Sequence, residues 1–223
     1  MSISDFFPHR VNLFCGHYGS GKTNLAVNWA MSLRAQGREV ALADIDIVNP
    51  YFRSKDSEET LRALGIEVIA LPFANTSVDL PSLPSEVYGL VQRRDKYAVL
   101  DIGGDDRGVL ALGRFAPYIA EENDYEMFFV TNFYRPLTRT AADALTVLRE
   151  IEAATPLRFT SIVNNSNLGG ETAPSDIEKT YAEAENLSRL TGLPVAFTAV
   201  SDRLKGQVQG EKLFYVSLQK KPF

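Results

Sequence analysis

Short apolar runs alternate along this chain with longer stretches in which apolar residues recur at helical spacing. The runs of strand length cover residues 10–15, 39–45, 65–71, 96–102, 126–132, 158–164, 194–200 and, as a weaker edge strand, 212–218. Helical spacing is found at residues 25–33, 56–64, 137–153 and 175–191, and after Pro84 to about Arg94. Strands and helices in this order predict an α/β fold, with helices on both faces of a mostly parallel sheet.

Length and composition favour one soluble domain spanning residues 1–223. The chain is 45% hydrophobic and 23% charged, and it contains neither repeats nor a linker. Its formal net charge of −5 gives no sign of the basic surface that nucleic-acid binding needs. No apolar run approaches the roughly 18 residues of a membrane span, and the N-terminus lacks the order of a signal peptide. We therefore expect a cytoplasmic protein without a membrane segment.

The first strand run leads into GHYGSGKT, residues 16–23, which has the spacing of a phosphate-binding loop. Its glycines let backbone N–H groups curl around a phosphate, Lys22 reaches the β- and γ-phosphates, and the Thr23 hydroxyl is a ligand for Mg²⁺. The motif also follows a strand and opens a helix, as a phosphate loop does. The predicted nucleotide-binding residues are Gly16, His17, Tyr18, Gly19, Ser20, Gly21, Lys22, Thr23 and Asn24.

The second strand run ends in ADIDIVNPYFR, which contains two carboxylates separated by one residue. In an extended chain Asp44 and Asp46 point to the same side, so one would join the Mg²⁺ shell while the other positions an attacking water. Alternatively, both are solvated loop carboxylates or cap the next helix. Arg53 either acts on developing phosphate charge or is a surface side chain.

The run KYAVLDI ends in DIGGD, and an aspartate at the end of an apolar strand is the Walker B pattern. We predict that Asp101 holds Mg²⁺ or a water bound to it. Gly103 and Gly104 either let a backbone N–H approach the γ-phosphate or form only a turn.

The later strand runs end in VTNFYRP and IVNNSN. Asn164 or Asn165 would read a nucleobase, because an amide offers both a donor and an acceptor; the alternative is an asparagine-rich turn. Guanine-specific switches use Asn-Lys-x-Asp, whereas residues 164–167 read Asn-Asn-Ser-Asn. The missing aspartate favours ATP over GTP.

In this order, GHYGSGKT, DIDIVNPYFR, DIGGDDRGVLALGR and VNNSNLG resemble the motifs of MinD/ParA/CobQ-type nucleotide-binding domains, which belong to the SIMIBI class of P-loop NTPases. They are most similar to a little-characterised bacterial set of CobQ/CobB/MinD/ParA nucleotide-binding proteins. The resemblance covers nearly the whole chain. It implies a three-layer, Rossmann-like P-loop NTPase fold, Mg-ATP as the ligand and often nucleotide-dependent dimerisation.

By position, the resemblance also implies roles for individual residues. Lys22 and Thr23 would bind phosphate and Mg²⁺, Asp46 or Asp44 would orient water, and Asp101 would be the Walker B residue. Asn164 or Asn165 would lie near adenine.

The chain departs from the MinD/ParA pattern at two positions of the phosphate loop. Those proteins carry Lys-Gly-Gly-x-Gly-Lys-Thr, whose first lysine reaches the partner's nucleotide, but here His17 and Tyr18 replace the first lysine and the first glycine. With a reference pKa near 6.5, a histidine is mostly uncharged at neutral pH, although bound phosphate favours its charged form. Either His17 is a weaker donor in trans, or the protein does not use trans activation, or His17 is simply an exposed loop residue.

Three functional hypotheses follow from these motifs. The first is a Mg-ATP-binding NTPase with slow hydrolysis that acts as a switch through an unidentified protein partner or self-association. The second is an ATP-dependent transferase or ligase of the dethiobiotin-synthetase type, for which the proline-rich segment 71–84 would contact a second substrate. The third is a nucleotide-gated binding module without appreciable turnover. The tail, EKLFYVSLQKKPF, reads as a strand rather than as the membrane helix of MinD-type proteins.

Overall fold

A single parallel sheet organises the part of the chain that the computed structural model describes, residues 9–46, 55–70, 85–104 and 106–217. Within those residues eight strands occur in the spatial order β3-β2-β4-β1-β5-β6-β7-β8, and every pairing between neighbours is parallel. The strands are β1 (Val11–Cys15), β2 (Val40–Ile45), β3 (Ile66–Ala70), β4 (Tyr97–Ile102), β5 (Tyr125–Thr131), β6 (Ser161–Asn164), β7 (Val195–Ser201) and β8 (Leu213–Val216). The predicted α/β fold and the predicted edge strand are therefore confirmed.

The helices cover both faces of this sheet. They are α1 (Lys22–Ala35), α2 (Lys55–Ala63), α3 (Ser85–Gln92), α4 (Asp106–Glu122), α5 (Ala141–Ala153), α6 (Pro174–Glu178) and α7 (Tyr181–Thr191). Helices α1 and α2 pack on one face, while α3, α4, α5 and α7 pack on the other. This is the three-layer arrangement that the sequence predicts.

Helix α4 is an element that the sequence pattern did not predict. It contains Gly108, Gly113 and Pro117, all of which are poor helix formers, so local propensity argues against it. Tertiary packing overrides that propensity, because Leu112, Phe115 and other apolar side chains of the helix are fully buried against the sheet. The sequence also predicted one helix over 175–191, whereas the chain forms α6 and α7 with a break between them.

Alternating side chains of each strand separate the two halves of the core. In β1, Leu13 belongs to the layer under α4, whereas Phe14 faces α1 and contacts Trp29. Trp29 is completely buried, with ring centroids 5.1 Å from Phe128 and 5.4 Å from Phe197. Burial of a large side chain of this kind contributes roughly 2–3 kcal/mol, so the layer fixes α1 firmly on the sheet. It thereby fixes the loop that leads from β1 into α1.

Within the described ranges, no helix has the combination of length and apolar character that crossing a membrane requires. Two predicted features lie outside the described residues: Arg53 and the segment 71–84.

Candidate functional site

The loop between β1 and α1 is held tightly against the neighbouring strand. Gly16 has a φ of +151°, and a Cβ at this position would lie 2.2 Å from the Val130 carbonyl oxygen. Any side chain would therefore push the loop away from β5. The loop then curls so that the Ser20 N–H donates to the His17 carbonyl at 3.2 Å, and α1 begins at Lys22. The predicted strand–loop–helix context of GHYGSGKT is therefore present.

Lys22 is folded over its own loop. Its side chain is only 6% exposed, and its Nζ donates to the His17 carbonyl oxygen at 3.1 Å. An ammonium group in this position lies where the loop curls, and a phosphate oxygen would compete with that carbonyl for its protons. Lys22 also lowers the pKa of Asp101, so its charge acts on the carboxylates beside the loop.

Two aspartates meet at the ends of β2 and β4. Asp44 and Asp101 are directly opposite each other in the register of these parallel strands, and they are only 1% and 2% exposed. The Thr23 side chain faces Asp101 and lowers its pKa. Among the described residues, however, no well-aligned donor reaches Oδ1 or Oδ2 of Asp101. Buried polar atoms without partners are rare in folded proteins and indicate a missing ligand or a functional role.

The environment of Asp101 raises its pKa to about 8. Burial is the largest cause, followed by the negative charge of Asp44, whereas Lys22 and Thr23 act in the opposite direction. If both were ionised, Asp44 and Asp101 would carry more negative charge than Lys22 neutralises. A bound divalent cation would offset both burial and repulsion.

The side chains around Asp101 fit Mg²⁺ in particular. Asp44, Asp101 and Thr23 offer only hard oxygen ligands, which Mg²⁺ prefers. Among the described residues there is no cluster of three or more histidine, cysteine, aspartate or glutamate side chains that would form a complete protein cage. Mg²⁺ does not need one, because it usually takes one or two carboxylates together with substrate phosphates and water.

Asp46 is placed differently from Asp44. It is the first residue after β2 and is half-buried, and its backbone N–H donates to Asp44 Oδ1 at 3.1 Å. Its charge also raises the pKa of Asp101, so both carboxylates of the second strand end act on Asp101.

The second glycine after β4, Gly104, packs against the loop between β1 and α1. A Cβ on Gly104 would lie 2.5 Å from the Tyr18 backbone nitrogen and 2.8 Å from the Gly16 carbonyl oxygen. No other residue allows this approach without displacing one of the two segments. The segment that follows Asp101 thus approaches the loop backbone closely at Gly104. The contact of Gly103 and Gly104 with the γ-phosphate stays a prediction.

The two asparagines at the end of β6 are bonded to protein groups. Asn165 Nδ2 donates to the Ser20 carbonyl at 2.6 Å and so braces the phosphate loop. Asn164 Nδ2 donates to Thr180 Oγ1 at 2.9 Å, and its Oδ1 accepts from the backbone and hydroxyl of Ser166. Contact with a base stays a prediction for both residues. The bracing partners Ser166 and Thr180 were not found by sequence reasoning, because their chemistry is common in loops.

His17 and Tyr18 occupy the outer side of the loop. The His17 Nδ1 lies 2.9 Å from the Tyr18 carbonyl oxygen, and the Tyr18 side chain is 59% exposed. Asn24 lies in the first turn of α1, where its carbonyl accepts from Asn28 Nδ2 at 2.7 Å. A role of His17 in trans stays a prediction.

Solved structures of FtsY proteins share this fold. The Thermotoga maritima cell division protein FtsY has a similar structure, with a TM-score of 0.58 and 20% identity over 86% of this chain and 62% of that one. The signal recognition particle receptor FtsY of Elizabethkingia anophelis, solved in complex with GDP, has a TM-score of 0.57 and 17% identity over 86% and 57%. Chloroplast FtsY from Physcomitrella patens has a TM-score of 0.56 and 19% identity over 85% and 58%.

At such low identity the likeness shows the fold alone. The chain spans about three fifths of the length of these structures. No protein-family model matches the chain, and no curated protein matches it. A closer relation to the MinD/ParA/CobQ group stays a prediction.

Proposed function

We propose that this protein is a Mg-ATP-binding P-loop NTPase that hydrolyses nucleotide slowly and acts as a nucleotide-dependent switch. The observation that carries the proposal is the meeting of the phosphate-type loop with two buried carboxylates. Lys22 and Thr23 lie at the start of α1, while Asp44 and Asp101 lie opposite each other on β2 and β4. Phosphate, cation and carboxylate chemistry thus meet at the carboxyl edge of the sheet, where ligands of such folds bind.

In the proposed complex, the backbone N–H groups of residues 16–23 surround the phosphates, and Lys22 transfers its hydrogen bonds from the His17 carbonyl to phosphate oxygens. Thr23, Asp101 and Asp44 would hold Mg²⁺. The bound ion supplies charge neutralisation at the β- and γ-phosphates. Its binding favours the ionised form of Asp101, whose raised pKa otherwise keeps the carboxyl largely protonated at neutral pH.

Between the two candidate water-positioning residues, Asp46 is the better supported. Asp44 is buried and already accepts the Asp46 N–H, whereas Asp46 is half-buried at the end of the strand. A carboxylate that remains partly accessible can accept a proton from a water molecule beside the γ-phosphate.

The amide-rich turn after β6 supports ATP as the nucleotide. If the motif is counted from Asn164, the position of the guanine-binding aspartate is Asn167; if it is counted from the loop-bracing Asn165, it is Leu168. Neither residue offers a carboxylate to a guanine ring. GTP remains the competing candidate because one FtsY of similar fold was solved with GDP. Calorimetric titration decides: equal or tighter binding of GTP would refute the preference for ATP.

Lys22→Ala tests the proposal directly. We expect it to weaken nucleotide binding and turnover by roughly a hundredfold or more, because a buried charge-assisted contact to phosphate is lost. The matched control is Lys179→Ala, which removes an exposed lysine elsewhere and should leave both unchanged. If Lys22→Ala bound and hydrolysed ATP like the unaltered protein, the assignment of the loop would fail.

The switch hypothesis concerns association, with a second copy or with an unidentified protein partner. It predicts different masses by light scattering with ADP and with a non-hydrolysable ATP analogue. The same mass in both states would count against a nucleotide-dependent homodimer.

A further inference from the structure

The turn after β5 carries an arginine that sequence analysis did not single out. Asn132 builds this turn: its carbonyl accepts from the Arg135 N–H at 2.9 Å and from Thr138 Oγ1 at 2.7 Å. Its side-chain Oδ1 accepts from the Tyr134 N–H at 3.0 Å. The Phe133 N–H in turn donates to Ser166 Oγ at 3.0 Å, which ties the turn to the end of β6. The backbone of Arg135 is thus fixed before any ligand binds.

From this position the Arg135 side chain extends over the phosphate loop. Its Nε and Cζ are the atoms nearest to Gly19, 3.7 and 3.8 Å from the point where a Cβ on that glycine would lie. Gly19 has a φ of +76° and is exposed, so the loop leaves this space open to the guanidinium. The arginine therefore lies beside the loop, on the side of β5.

The charges around Arg135 leave its guanidinium available. No carboxylate of the described residues forms an ion pair with it, although several other arginines of these ranges are paired. A guanidinium presents a planar fork of donors that matches two phosphate oxygens, and it stays charged at any physiological pH.

We propose that Arg135 contacts the phosphate groups of the bound nucleotide in cis, as a second cation beside Lys22. This inference rests on the proposed function. It gives the site a fixed positive charge from its own chain, on the opposite side of the loop from Asp101.

The test measures displacement of a fluorescent ADP analogue by ADP and by inorganic pyrophosphate, each with Mg²⁺. For Arg135→Ala we expect the affinity for both ligands to fall by roughly tenfold to a hundredfold, as for loss of a charge-assisted hydrogen bond. Arg135→Lys keeps the charge without the fork and should give an intermediate loss. Arg139→Ala is the matched control, since this exposed arginine lies four residues further along and has no contact with Gly19.

The outcomes separate this inference from the proposed function. If the unaltered protein binds ADP and Arg135→Ala binds it equally well, the inference is overturned while the function stands. A loss of ADP affinity without a loss of pyrophosphate affinity assigns the arginine to the ribose or base and also overturns it. Absence of nucleotide binding by the unaltered protein overturns both.

A mixing experiment tests the cis contact. Arg135→Ala protein is combined with Lys22→Ala protein, whose own site is disabled but whose Arg135 is intact. We expect the affinity of the mixture to equal that of Arg135→Ala alone. Restored affinity would show that the arginine acts on a partner's nucleotide.

Discussion

The strand ends on the two sides of β1 carry different chemistry, although they share one edge of the sheet. On the side of β4 and β2, Asp101 and Asp44 are buried next to each other, and both oxygens of Asp101 lack a well-aligned donor among the described residues. On the side of β5 and β6, Asn132, Asn164 and Asn165 are equally buried, yet their amides bond to backbone and hydroxyl groups of neighbouring segments.

This difference suggests two roles: the aspartates suit ligand binding, whereas the asparagines support the structure around the site. Keeping both buried aspartates ionised is unfavourable in the ligand-free fold, and the proposed cation would offset that cost. The asparagine amides on the other side are hydrogen-bonded to protein groups without a ligand, and they hold the loop and the Arg135 turn in place. We therefore expect substitutions on the carboxylate side to reduce function more than stability, and those on the amide side to do the reverse.

Asp101→Asn should have the largest effect, and it should be on turnover. Loss of a carboxylate ligand at the proposed Mg²⁺ site is expected to reduce Mg²⁺-dependent ATP hydrolysis by roughly a hundredfold or more, since a metal ion supplies several kcal/mol of charge stabilisation. The neutral amide has nearly the same shape, so the fold should persist. Phosphate release at saturating ATP measures the effect.

The matched control is Asp95→Asn, which changes an exposed aspartate shortly before the same strand and should leave turnover unaltered. Turnover of Asp101→Asn within about threefold of the unaltered protein, about 0.7 kcal/mol, would contradict the role of this side of the site.

Asn164→Ala should have the next largest effect, and it should be on stability. Its amide bonds to Thr180 Oγ1 and to two groups of Ser166, all within the core. Leaving these groups without partners should lower the free energy of unfolding by about 2–4 kcal/mol. Urea denaturation without nucleotide measures this.

Asn186→Ala, on the partly exposed face of α7, is the control and should change stability by less than about 0.5 kcal/mol. If the two variants were equally stable, the amide side would not be the support that its hydrogen bonds indicate.

The last prediction is a dependence of stability on pH in the metal-free protein. The pKa of Asp101 is raised from 3.8 to about 8 by burial and by Asp44, so between these values the folded protein holds a proton that the unfolded chain has lost. The free energy of unfolding should therefore decrease as pH rises through this window, by up to about 1.4 kcal/mol per pH unit, and level off above it.

Urea denaturation in the presence of a chelator from pH 5 to 9 measures the slope. Asp101→Asn is the control, because it has no such proton and should lose this part of the slope. Identical slopes in the two proteins would show that the carboxyl is ionised throughout and that the repulsion between the aspartates is relieved in another way.

Local patterns predicted most of the sheet, and they also predict a phosphate site at its edge, which stays a prediction. Each described strand is an apolar run that the sequence predicted to within a few residues, because a buried parallel strand needs a nearly continuous apolar segment. The spacing of Gly16, Lys22 and Thr23 likewise indicated the phosphate loop, since the backbone geometry of such a loop is set by adjacent residues. Helix α4 was missed because its glycines and proline conceal the buried apolar face.

The sequence by itself determined which residue types stand at the strand ends, and only the tertiary structure decided which of them meet. Asp44 and Asp101 become neighbours because β4 lies between β1 and β2 in the sheet. Asn165 reaches Ser20 across 145 positions of sequence, and Arg135 lies beside Gly19 from the turn after β5. Such contacts depend on the order in which strands pair, which no local pattern encodes. Burial, the raised pKa of Asp101 and the bracing of the loop all arise from that order.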